Sequence, residues 1–119
     1  MEKLVSWVEI PTVNFDRAVQ FYNRILQLNV TGEDYGMEKM ACFPNGEGAI
    51  IFAPGYKPSE NGVIVSFYVP DSLDETLLRI EKNGGKTVQP KTKIEAEGMG
   101  YFAIFTDPEG NRIGLHEKM

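Results

Sequence analysis

Twice in 119 residues the chain passes through one order of elements: an apolar run stopped by proline, an amphipathic helix, then short strand-like runs. Leu4 to Ile10 is short and apolar and Pro11 ends it, which predicts a strand. Asn14 is placed to cap a helix, with Asp16 in its first turn facing the positive end of the helix dipole. Phe15, Ala18, Val19, Phe21, Tyr22, Ile25 and Leu26 then recur at helical spacing and give one apolar face. Strand-like runs follow from about Met37 to Phe43 and from Ala49 to Ala53, separated by Pro44-Asn45-Gly46.

The second pass begins after Pro54 to Gly62, whose composition is that of a linker. Val63 to Val69 reads as a strand ended by Pro70. Ser72 and Glu75 fit a capping box, and Leu73, Leu77, Leu78 and Ile80 give the helix its apolar face before Gly84-Gly85 stops it. Lys86 to Pro90, Tyr101 to Thr106 and Arg112 to Glu117 read as three strands, the last two joined at Asp107-Pro108-Glu109-Gly110. The expected fold is α+β: two paired βαβββ modules, about residues 1–57 and 62–119 around a linker at 54–62, forming a cupped, mostly antiparallel sheet. At this length one domain accommodates both modules.

Alternation assigns the faces. Leu4, Val8 and Ile10 suit the helix side of the first strand, leaving Val5, Trp7 and Glu9 facing away. Ile113 and Leu115 suit the helix side of the last, leaving Arg112, Gly114 and His116. In the fifth, Val63, Val65, Phe67 and Val69 pack inward while Ile64, Ser66 and Tyr68 look outward. A cleft between the modules would then mix aromatic and polar side chains, as small-molecule sites do.

Bulk properties remove other classes. A net charge of −5 with no basic run argues against a nucleic-acid partner. No stretch reaches the roughly 20 apolar residues of a membrane span, and the N-terminus lacks a signal-peptide core. One cysteine, Cys42, precludes an internal disulfide, so a soluble cytoplasmic protein is expected. Cys42 itself reads as a small buried hydrophobe.

Glu9-Ile10-Pro11 leading into Phe15-Asp16-Arg17-Ala18 and Phe21-Tyr22, with the ending Asp107-Pro108-Glu109-Gly110-Asn111, resembles the vicinal-oxygen-chelate superfamily. That group holds glyoxalase I, extradiol dioxygenases, fosfomycin-resistance enzymes and bleomycin-resistance proteins. Pro90-Lys91-Thr92, Gly98-x-Gly100-Tyr101-Phe102-Ala103 and Gly110 to Leu115 resemble a bacterial subgroup described as predicted enzymes related to lactoylglutathione lyase. The resemblance implies four metal ligands on four strands, typically His, Glu, His, Glu, and a homodimer. Those positions fall on Trp7, near Ile50, near Ile64 and on Gly114, with Ala49, Ile51, Phe52, Val63 and Val65 as neighbours. None offers the donors such a cation needs, so no metal or other cofactor is expected.

Two functions follow. The first is a metal-free dimer that binds an aromatic or planar small molecule through Trp7, Phe52, Ile64, Tyr68, Arg112 and Gly114. The second is a lyase or isomerase related to lactoylglutathione lyase, with metal-free acid–base chemistry by Glu9 and His116. Glu9 is otherwise read as a structural partner of Arg112, and the polar loop Lys91 to Gly98 as either a lid or a plain solvent loop.

Overall fold

The computed structural model describes residues 3–119. Its elements run β1 (Val8–Pro11), α1 (Phe15–Leu26), β2 (Glu33–Asp34), β3 (Lys39–Cys42), β4 (Gly48–Phe52), β5 (Ser66–Tyr68), α2 (Leu73–Lys82), β6 (Lys86–Lys93), β7 (Tyr101–Thr106) and β8 (Arg112–Glu117). A 3₁₀ turn at Pro44–Gly46 joins β3 to β4. The strands make two four-stranded sheets, ordered β1-β4-β3-β2 and β5-β8-β7-β6. Each sheet is mixed in the same way: the first strand of the module lies parallel to the last, and the remaining pairs are antiparallel. The two modules thus repeat one topology.

Both helices begin as their sequences dictate. The Asn14 side chain accepts from Arg17 N–H, and the Ser72 hydroxyl accepts from Glu75 N–H. The apolar face of α1 is buried as expected, with Val19 at its margin. On α2 the buried residues are Leu73, Thr76 and Ile80, while Leu78 is 58% exposed. Leu78 lies outside the stripe because Leu73, Thr76, Leu77 and Ile80 already follow the three-and-four spacing.

The helix-bearing faces of both sheets meet in one core. Ile10, Ala41 and Ile50 of the first sheet share it with Ala103, Phe105, Ile113 and Leu115 of the second, and both helices contribute to it. Aromatic rings bridge the halves: Tyr22 lies 6.0 Å from Phe67, Phe43 lies 5.3 Å from Phe67, and Phe21 lies 6.0 Å from Phe105. Such contacts are favoured when rings meet edge-on or tilted.

The turn between β7 and β8 locks this arrangement. Glu109 accepts from the N–H groups of Val13 and Asn14 at 2.8 and 2.7 Å and from Arg17 Nε at 2.6 Å. Asp107 accepts from the Tyr22 hydroxyl at 2.5 Å and from the N–H groups of Glu109 and Asn111. Asn111 donates to the Pro11 carbonyl at 2.8 Å and accepts from Ser59 N–H. All three side chains are buried, and burying such groups is tolerable only when they are satisfied this fully.

Several strands are shorter than the sequence suggests. β1 starts at Val8 and leaves Leu4 99% exposed, because β4, its one neighbour, begins opposite Val8 at Gly48. β5 starts at Ser66, because ahead of it β8 bonds only to the Val65 carbonyl through Gly114 N–H and then to the linker, where Arg112 N–H donates to the Ser59 carbonyl. Val63 is therefore 92% exposed instead of packed, whereas Phe67 and Val69 do pack on the core. Met37 likewise lies outside β3 and is exposed. β6 is longer than expected and takes Lys91 to Lys93 out of the polar loop. Cys42 is exposed, contrary to expectation, because it alternates with the buried Ala41 and points away from the core.

The two buried carboxylates titrate in opposite directions. Burial opposes ionisation of Glu109, but Arg17 and the two N–H groups outweigh it and hold the carboxyl below its ordinary value. Burial raises Asp107, and its hydrogen bonds only partly offset that. Ionised Glu109 therefore stabilises the fold above the ordinary carboxylate pKa, and this contribution disappears as the pH falls through its lower folded value. Asp107 works the other way, since protonation relieves the cost of its buried charge. Glu109→Gln should cost about 1–3 kcal/mol at neutral pH, and the deficit should shrink below about pH 4. Denaturant unfolding of both proteins across that range measures it.

Candidate functional site

Strand register separates the helix-free face of each sheet from the core. In the first sheet Ile10 pairs with Ile50, and both are in the core. Glu9, Ala49 and Cys42, which are cross-strand neighbours, must then face away, together with Ile51, Met40 and Pro11. Trp7, two residues before Glu9, continues that face. In the second sheet Phe105 and Ile113 face the core, so three cross-strand rows look outward. They are Lys86–Thr106–Arg112, Gln89–Ile104–Gly114–Ser66 and Thr92–Phe102–His116–Tyr68.

On the first face Trp7 Nε1 donates to Glu9 Oε2 at 3.3 Å. The negative charge of Glu9 raises the phenol of nearby Tyr56, a linker residue that sequence reasoning passed over. Glu9 makes no ion pair with Arg112 among the described residues. On the second face the His116 ring lies 5.1 Å from Tyr68, and its Nε2 is 2.6 Å from the Met99 carbonyl. A carbonyl can only accept, so Nε2 carries a proton and only Nδ1 remains as a base in the neutral ring. Lys118 Nζ stands 4.6 Å from the centre of the Tyr68 ring. Ile64 lies against Gly114.

Phe52 sits apart from this group. Its alternation with Ile51 puts it on the helix side, where it lines a shallow hollow with Val13, Arg17 and Lys39. A separate groove of about 620 Å³ lies between the N-terminal segment, the turn at Asn45 to Glu47 and β5. Val5, Val8, Phe43, Phe67 and Tyr68 are among its lining residues. It follows the unpaired edges of β1 and β5, and neither Glu9 nor His116 lines it. Tyr56 and Lys118 escaped notice because no periodic pattern marks a linker or a chain end. Lys86 and Thr106 could have been placed beside Arg112 by counting alternation across the three strands.

The family model of the Glyoxalase/Bleomycin resistance protein/Dioxygenase superfamily matches residues 4–115. The chain belongs to this superfamily. No curated protein matches its sequence. Among solved structures it is similar to a glyoxalase/bleomycin resistance protein from Albidiferax ferrireducens T118, with 20% identity and a TM-score of 0.73 over 98% of this chain and 100% of that one. It is also similar to a fosfomycin resistance protein from Listeria monocytogenes, at 16% identity and TM-score 0.69, covering 100% of this chain and 94% of the other. A glyoxalase I mutant from Zea mays matches at 15% identity and TM-score 0.66, over 93% of this chain and 44% of its own. At these identities the likeness establishes the shared fold.

The glyoxalase-superfamily metal does not fit the residues present. Ile50 faces the core, so the outward position on β4 belongs to Ala49 or Ile51, and neither carries a donor. Trp7 and Ile64 supply none either. Gly114 is filled as well as donor-free: a Cβ there would lie 2.3 Å from Ser66 Oγ and 3.3 Å from Ile64 Cγ2. Among the described residues no three His, Cys, Asp or Glu side chains gather. The Ser66 hydroxyl thus packs where a ligand at residue 114 would begin. Gly114→Ala should destabilise the protein by about 1–3 kcal/mol through overpacking, and adding Ser66→Ala should recover part of the loss. Denaturant melts of the single and double variants give both values.

Proposed function

We propose that this protein is a small-molecule-binding member of the glyoxalase superfamily that acts as a homodimer and holds an aromatic or planar ligand. The carrying observation is the direction of the two helix-free faces. Because the helix-bearing faces share one core, the helix-free faces point outward, and one chain cannot close a cleft between them. A second copy can. The first face of one chain, with Trp7, Glu9 and Tyr56, would then stand opposite the second face of its partner, with Tyr68, Arg112 and His116.

Exposed apolar surface supports the dimer. Leu4, Val5, Trp7, Val63, Ile64 and Tyr68 are all exposed, and the edges of β1 and β5 have no strand beside them. Unpaired edges and exposed apolar groups are what an interface covers. The aromatic side chains support a planar ligand, since rings bury large rigid area and stack with little loss of entropy.

The lyase or isomerase reading requires Glu9 and His116 to act on one substrate. The composite cleft would set Glu9 of one chain opposite the second face of the other, but Glu9 is engaged by Trp7 and His116 is anchored through Nε2. No observation favours that reading over binding.

Light scattering after size exclusion should give a mass near twice the 13.4 kDa of the chain, with a monomer overturning the composite cleft. A panel of planar aromatics should contain compounds that raise the melting temperature in proportion to their binding. Trp7→Ala should weaken the best of them about tenfold or more, equivalent to about 1.4 kcal/mol. Metal analysis of unchelated protein with a glyoxalase assay tests the enzyme reading, and one bound divalent ion per chain with turnover would replace the proposal.

A further inference from the structure

The chain has four arginines, at residues 17, 24, 79 and 112. Three of them are engaged. Arg17 bonds to Glu109, Arg24 donates to Asn83, and Arg79 binds Asp71 and the Ile25 carbonyl. Arg112 differs. Its Nε is cut off from solvent and has no hydrogen-bond partner, the one such side-chain atom among the described residues. An unmet buried donor on a charged group is costly, and because Nε is closed to solvent a ligand meets this guanidinium at its Nη edge, which also has no partner among the described residues.

Its surroundings do not resolve this from within. Arg112 lies in the outward row with Thr106 and Lys86, a second cation and a hydroxyl. The other paired positions of that face are Gln89, Ile104, Gly114, Ser66, Thr92, Phe102, His116 and Tyr68. No carboxylate stands in any of the three rows, although the chain as a whole carries a net charge of −5. The acids on a helix-free face, Glu9 and Glu33, lie on the other sheet. Asp71 and Glu117, near the far end of the face, are taken up by Arg79 and by the first turn of α2.

We propose that Arg112 binds a carboxylate on the ligand, so that the molecule taken up on this face is an aromatic or planar carboxylic acid. The assignment rests on reading the face as a ligand-binding wall and adds the charge of what it binds. A guanidinium offers a planar fork of donors that matches the two oxygens of a carboxylate. Thr106, directly across the strand, contributes a neutral donor, and Lys86 beyond it reinforces the potential. The next row along the strands, about 7 Å away, presents Ile104 and Gly114. A ring attached to the carboxylate would lie over that apolar row.

Arginine Nε–Hε resonances of labelled protein can be followed during titration with sodium benzoate, with benzamide as the neutral isostere and benzylammonium as the cation. The Arg112 signal, assigned by its loss in Arg112→Met, should shift saturably with benzoate. Benzoate should bind at least tenfold more tightly than benzamide, and Arg112→Met should abolish that preference. Should Arg112→Met fail to fold, Arg112→Lys keeps the charge, loses the fork, and should still reduce the preference severalfold. Equal binding of benzoate and benzamide would overturn the carboxylate assignment and leave the binding wall standing. No response to any of the three probes would overturn both. A shift that follows protein concentration and ignores benzoate would give Arg112 to a carboxylate of a second copy, which also overturns the proposal.

Discussion

Everything about the shape of this molecule depends on the five-residue turn from Asp107 to Asn111. Its three polar side chains reach back across the chain to Pro11, Val13, Asn14, Arg17 and Tyr22. Each contact satisfies a buried or partly buried group that would otherwise be left unpaired, so the turn is held by complementarity more than by any single strong bond. The surface part of the network is weaker. Arg17 is about half exposed, and a pair of that kind contributes little once solvent screening is counted. The N–H groups of Val13 and Asn14 and the Tyr22 hydroxyl carry the geometry.

Fixing the modules in that pose has a cost in function. It turns both helices and both inner sheet faces toward one core, and it leaves the outer faces with no common space. Trp7 with Glu9 and Tyr68 with His116 are each well placed on their own sheet, but a single chain does not bring the pairs together. In the function proposed for this member of the glyoxalase superfamily, ligand binding therefore depends on assembly.

Much of the fold could be read directly. Tyr101 to Thr106 and Arg112 to Glu117 were bounded correctly because a proline-containing turn and a glycine punctuate them and both strands have neighbours along their length. Leu4 and Val63 misled because apolar character predicts that a residue will be covered, not by what. In one chain nothing pairs with those segments. Leu78 misled because Thr76, a polar residue, takes the buried position that the pattern gave to leucine. The site was partly legible: alternation placed Trp7, Glu9, Arg112, Gly114 and His116 on outward faces. It could not reveal that Ser66 packs onto Gly114, that Nε2 of His116 is committed to Met99, or that Arg112 Nε is unpaired. Those depend on strands meeting in space.

The same turn has a consequence for the order in which the protein acquires structure. The two residues that lead into α1 donate their N–H groups to Glu109, and the first N–H of α2 is accepted by Glu117. Both carboxylates lie near the C-terminus, the first of them 96 residues after the Val13 it binds. During synthesis each helix therefore emerges with its local cap, Asn14 or Ser72, but without the carboxylate that later anchors its start. Neither can reach its final stability until Glu109 and Glu117 have left the ribosome. The second module thus completes the first, and contacts so distant in sequence make that closing step slow relative to helix formation.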